Sequence, residues 1–304
     1  MGSGRWDHVA YRSATASRAT AGVDDFHYSH TSTAHTPVHP NLDPMRIKDK
    51  PFHKLESRDS TEHPQSNAVF VSFDVTGSNI ERARVAQQKL PNLMKLLERY
   101  LSDPQVAFAA NDDITVEDRR SIQISDFESD NRIDEHLRNI LLTAKGGGND
   151  GESYDLILFA AAGMTVLDCL EKRGRKGYFF MYADEPIFQG VDPAHVQVIF
   201  GATGGEPIPI ENVIRKLKES YHVFVLWPDG GYNHAREQYV RLFGEESVVT
   251  LQHPNLICEM IGSLVGLTEK KHPKGAIVED LLEAGVAPHV AKELLLAAGA
   301  GAAE

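Results

Sequence analysis

Ala68-Val69-Phe70-Val71-Ser72-Phe73 is an almost unbroken apolar run that ends in Asp74. A strand that is apolar at nearly every position has no solvent face, so it must lie inside a sheet covered on both sides. The next segment changes period. Ile80, Ala83, Ala86, Leu90, Leu93, Leu97 and Leu101 recur at spacings of three and four, drawing one helical stripe that Pro91 bends or breaks. Gln105–Ala110 and Ser121–Phe127 read as a hairpin joined by an acidic loop. Arg132–Ala144 reads as a helix, Gly146-Gly147-Gly148 breaks the chain, and a helix starting at Gly151 runs toward Leu170. Strand and helix then alternate: Gly177–Tyr182, Glu211–Tyr221, His222–Leu226, Gly231–Phe243, Ser247–Leu251 and Ile257–Leu267. This order predicts an α/β, Rossmann-like, mostly parallel sheet with helices on both faces over residues 67–268.

The flanks differ. Residues 1–66 hold seven of the 14 histidines (His8, His27, His30, His35, His39, His53, His63) and show no sustained period of 2 or 3.6. They predict a polar arm, flexible or extended in the free monomer. A metal-binding His tract is the sharper reading, weakened by irregular spacing and the lack of cysteine. Residues 269–304 open on the breaker Glu269-Lys-Lys-His-Pro-Lys-Gly275. Two short helices follow at Ala276–Ala284 and Ala287–Ala298, a hairpin too small to fold alone.

The net charge of −12 falls entirely on residues 67–304, because the arm carries eight Lys/Arg against eight Asp/Glu. An acidic body with no basic stripe is a poor nucleic-acid binder and suits cations or basic protein surfaces. Asp112, Asp113, Asp126, Glu128 and Asp130 are expected on a solvated face. No apolar run reaches membrane-spanning length, and the N-terminus lacks an apolar signal core. Cys169 and Cys258 sit in apolar helical contexts and read as reduced core residues. Together these predict a cytoplasmic chain.

Ligands of open α/β sheets gather beyond the carboxyl ends of parallel strands. Three polar clusters are expected there: Asp74-Val75-Thr76-Gly77-Ser78, Gly146-Gly147-Gly148-Asn149-Asp150, and Asp184 after the strand Gly177–Tyr182. A carboxylate with alternating hydroxyls places hard oxygens on one turn, a donor set for Mg²⁺ or Mn²⁺. Trp227-Pro228-Asp229-Gly230-Gly231 follows another strand and reads as a turn on the same rim.

The order D-x-T-x-S, Gly-rich loop, strand-end Asp resembles the metal-ion-dependent adhesion site of the von Willebrand factor A domain family, over about residues 67–268. The resemblance implies a vWA-like fold with Asp74, Thr76, Ser78, Asp150 and Asp184 around Mg²⁺, with Mn²⁺ or Ca²⁺ as substitutes. The second loop departs from the common Thr. It is similar to a bacterial Gly-Gly-Gly-Asp-x-x-Glu variant, with Asp150 taken as ligand and Asn149 held in reserve. The resemblance further implies a non-enzymatic binding or scaffolding protein that engages a partner's carboxylate. Work beside ATPase or other assembly machinery is an expectation of the family only.

Two alternatives stand. One is a structural subunit of a homo-oligomer tied through residues 1–66. The other is a Mg²⁺-dependent phosphatase with Asp74 as nucleophile, since Asp-Val-Thr-Gly-Ser also resembles the aspartyl-phosphate loop of haloacid-dehalogenase-like enzymes. That chemistry needs a later Lys, for which Lys172 and Lys176 are the candidates.

Overall fold

A computed structural model describes residues 4–50, 53–143, 151–202 and 205–301. Its centre is a six-stranded sheet built from β1 (Ser66–Asp74), β2 (Asp103–Asn111), β3 (Ile122–Ile124), β4 (Gly177–Tyr182), β5 (Tyr221–Pro228) and β6 (Val248–Leu251). The spatial order is β6-β5-β4-β1-β2-β3. All neighbours are parallel except the β2–β3 hairpin. The chain runs outward to one side through β2 and β3, returns, and runs outward to the other through β4, β5 and β6. That reversal places a crevice at the carboxyl ends of β1 and β4.

The apolar runs are continuous because alternate residues serve two cores. Val69, Val71 and Phe73 of β1, with Phe180 of β4, face one core, while Ala68, Phe70 and Phe179 face the other. The first core is roofed by α2 (Ile80–Gln88), α3 (Leu90–Tyr100) and α9 (Ile257–Glu269). The second is roofed by α5 (Tyr154–Gly163), α7 (Ile210–Ser220) and α8 (Asn233–Phe243). The predicted stripe from Ile80 to Leu101 is two helices, and Pro91 stands in the first turn of the second, where its missing N–H is harmless. Gly262 and Gly266 of α9 let it press onto α3: a Cβ at Gly262 would meet Leu96 at 2.6 Å, and one at Gly266 would meet Tyr100 at 2.9 Å.

Four expectations need correction. The arm is not extended. It forms α1 (His8–Ala21), capped by Asp7, and buries Trp6, Tyr11, Phe26, Val38 and Leu42 in the first core. Tyr11 Oη donates to the Gln87 carbonyl at 2.7 Å. Ile124 N–H donates to the Leu42 carbonyl at 2.8 Å, so the arm covers the open edge of β3. The acidic residues do not share a solvated face: Asp112 and Asp113 are fully buried and Glu128 is 4% exposed. The helix Arg132–Ala144 is shorter, α4 (Arg132–Arg138). The helix toward Leu170 ends at Gly163, and Thr165–Leu167 pairs with Leu55–Ser57 before a second helix, α6 (Asp168–Arg173).

The C-terminal helices α10 (Lys274–Glu283) and α11 (Pro288–Gly301) dock on the first core through Ile277, Leu281, Ala291 and Leu294. Tyr100 Oη donates to Asp280 at 2.7 Å. Both cysteines are buried and free. Among the described residues, no helix is long and apolar enough to cross a membrane.

Candidate metal centre

Asp74 closes β1 and is fully buried. Its Oδ1 accepts from the Thr76 backbone N–H at 2.7 Å and the Thr76 hydroxyl at 2.6 Å. This turn is local: the carboxylate reaches two residues forward and fixes the loop that leads to Ser78. Oδ2 accepts from Tyr154 Oη at 2.5 Å. Asp184, just beyond β4, is bracketed by the Asn79 amide, which donates to Oδ1 at 3.0 Å and Oδ2 at 2.9 Å. The two aspartates feel each other. Burial first, and then repulsion from Asp184, lift Asp74 to about 7. Burial also raises Asp184.

Glu152 extends this acidic lining. It is 5% exposed, and burial followed by repulsion from Asp74, Asp112 and Asp113 pushes it to about 9. Its Oε2 is buried with no hydrogen-bond partner among the described residues. Asp112 is lifted to about 6, mainly by burial. Asp113 is used locally, accepting from the Thr115 backbone N–H at 2.8 Å.

The structure thus brings Asp74, Thr76 and Asp184 to one crevice. Ser78 lies in the adjoining 3₁₀ turn Gly77–Asn79, and its side chain is outside the described set. Asn149 and Asp150 lie outside the described residues. Two neighbours were not picked out from the sequence: Tyr154 and Asn79. Asn79 directly follows Ser78, so proximity to the motif was its only signal, whereas Glu152 belongs to the stretch that resembles the Gly-Gly-Gly-Asp-x-x-Glu variant, although it was not chosen as a ligand. Tyr154 had none, because a tyrosine in an apolar helix reads as core. Of the Trp227–Gly231 segment, Trp227 and Pro228 close β5 and the chain turns at Asp229 and Gly230, with Gly231 N–H donating to the Pro228 carbonyl at 3.1 Å.

The donors fit a hard divalent cation. They are carboxylate and hydroxyl oxygens, and a hydroxyl that gives its proton to Asp74 keeps its lone pairs for an ion. Among the described residues, no three of His, Cys, Asp and Glu are grouped to hold a metal unaided. The donors that the described residues offer here are the Asp74 and Asp184 carboxylates and the Thr76 hydroxyl. Neither lysine offered for the phosphatase chemistry lies beside Asp74. Lys172 is bound to Asp168 at 2.7 Å and Asp59 at 3.3 Å, and Asp59 accepts from Ser66 at the start of β1. Lys176 immediately precedes β4. Both lysines sit at the amino ends of the strands, across the sheet from Asp74.

Four buried acids make the metal-free fold sensitive to base. Asp74 and Asp155 are raised to about 7, Asp112 to about 6 and Glu152 to about 9, burial leading in each case. The folded chain then holds more protons than the unfolded chain once pH exceeds about 4, where free carboxyls ionise. Their contribution is full below that pH and is lost as pH rises through each folded value. In chelator, the melting temperature should fall steadily between about pH 5 and pH 8. A flat or rising profile by differential scanning fluorimetry would count against the buried acid cluster.

No family model and no curated protein matches the sequence. Solved structures do match. Proximal thread matrix protein 1 from the mussel byssus is 13% identical at a TM-score of 0.44, covering 70% of this chain and 47% of that one. A von Willebrand factor type A protein from Catenulispora acidiphila is 12% identical at 0.39, covering 68% and 44%. The von Willebrand factor domain of the type V pilus tip protein Mfa5 from Porphyromonas gingivalis is 13% identical at 0.43, covering 68% and 97%. This chain spans less than half the length of the first two.

Proposed function

We propose that this chain is a protein-binding or scaffolding module with a vWA-like, cation-centred site at the carboxyl ends of β1 and β4. Asp74, Thr76, Ser78 and Asp184 would hold Mg²⁺ or Mn²⁺, completed by Asp150 from the second loop. When bound, the ion supplies an open coordination position for a partner's carboxylate. The observation that carries the reading is the pairing of Asp74 and Asp184. A fully buried carboxylate and a half-buried one at the ends of adjacent strands, repelling each other, are costly unless a cation joins them. Thr76 and Tyr154 hold the Asp74 carboxylate from both sides, and Asn79 holds Asp184, so the chain presents both groups already oriented.

A ligand that binds only the folded chain raises stability by mass action, about 2.7 kcal/mol at one hundred times Kd. At pH 8, saturating Mg²⁺ or Mn²⁺ should therefore raise the melting temperature by roughly 5 °C. The same salt should leave Asp184→Ala unmoved. No shift in the wild type, or an equal shift in the variant, would rule out this site.

A further inference from the structure

We propose that the cleft between α10 and α11 is a docking groove for an acidic amphipathic helix of a partner protein. The inference goes beyond the cation reading and does not depend on it. An α-helix turns about 100° per residue, and Ala291, Leu294 and Ala298 mark the stripe by which α11 packs on the first core. Leu296 follows Leu294 by two residues and so points to the opposite side, where it is 77% exposed. Lys292, four residues before it, and Gly299, three after, share its face. With Leu295, and with Lys274 at the start of α10, these residues line a cleft of about 400 Å³ whose wall is almost wholly apolar.

Gly299 keeps the cleft open: a Cβ there would meet only Lys274 Nζ, at 3.9 Å. Leu296 thus stands as a knob beside a hollow, the relief that the apolar face of a helix fills. Charge selects the occupant. Lys274 and Lys292 form no ion pair among the described residues. Neither has an acid three or four residues away along its helix. The one acid of α11, Glu293, faces His253 at 3.2 Å instead. In a chain of net charge −12, two unspent lysines on the rim of an apolar cleft suit a helix with leucines on one face and glutamates beside them. A second copy of this chain would bring the same lysines against each other across a two-fold axis. An anionic lipid surface would be repelled by the acidic body.

The test uses the full chain and a fluorescent helix-forming peptide with leucines at i, i+4 and i+7 flanked by glutamates, followed by anisotropy in chelator. A control peptide carries lysines in place of the glutamates. The glutamate peptide should bind saturably and more weakly as salt rises, and the lysine peptide about tenfold more weakly or not at all. Lys274→Glu and Lys292→Glu should each lower the affinity for the glutamate peptide about tenfold. Gly299→Leu, which fills the cleft, should abolish binding. That variant should melt no lower than the wild type, because it replaces a glycine inside a helix, so its loss of binding is not a loss of fold. Equal binding of the two peptides, no binding of the glutamate peptide, or unchanged binding by Gly299→Leu would overturn the proposal. So would self-association of the chain, or binding to phosphatidylglycerol vesicles, that Leu296→Asp abolishes, since the cleft would then belong to a second copy or to a membrane. Because every arm is run without metal, a failed cation titration leaves this result standing, and the reverse holds too.

Discussion

A chain beginning at residue 51 should lose most of its stability, with its melting temperature lowered by more than about 10 °C or its cooperative transition gone. The segment removed carries Trp6, Tyr11, Phe26, Val38, Leu42 and Ile47, each no more than 6% exposed. Burying a side chain of this kind stabilises by about 1.5–3 kcal/mol, so the gross loss is on the order of a domain's whole stability. The ordering entropy of the arm offsets part of it. The body also suffers. Ile133, Leu137 and Ile140 would lose their cover, the Leu42 bond to the β3 edge would go, and Arg18 would no longer reach Asp134 at 3.2 Å. An exposed edge strand invites pairing between chains, so aggregation should accompany unfolding. Circular dichroism with light scattering follows both. An unchanged melting temperature with a drop in mass would instead favour an arm that ties subunits together.

The arm shows where the sequence was opaque. Its buried residues come singly, at Trp6, Tyr11, Phe26, Val38, Leu42 and Ile47, each anchoring a different stretch of chain. Periodicity finds a face, and single anchors make none. Asp112 and Asp113 were misplaced for a related reason. Charge predicts solvent, but these two carboxyls are consumed by nearby donors: the Asp113 backbone N–H for Asp112 and Thr115 for Asp113. The sheet was legible because β1, β4 and β5 are apolar at nearly every position, with Ser72 and His222 among the few exceptions, and alternate between two cores. The expected strand Gly177–Tyr182 is β4 to the residue. Of the site, the two strand-end aspartates were legible from topology alone. Tyr154 was not, since its partner Asp74 lies 80 residues away.

The second large effect belongs to Asp74, where an expected loss of binding comes with an expected gain in folding. Asp74→Ala removes the central anionic oxygen, so divalent affinity should drop by at least about a hundredfold, the scale of one charged hard ligand. The same change removes a buried acid raised by its surroundings, so the metal-free variant should be no less stable than the wild type above neutral pH. Tyr154 Oη would lose its acceptor, which offsets part of the gain. Asp150→Thr should weaken the ion more mildly, and Asn149→Ala should not, if Asp150 is the loop's ligand.

The central claim is therefore tested most directly by calorimetric titration of Mg²⁺ or Mn²⁺ into the full chain and into Asp74→Ala at pH 8, with circular dichroism confirming that both are folded. The account predicts saturable binding of a single divalent ion by the wild type and none by the variant. Equal affinity in the two, or no binding by the wild type, would contradict it.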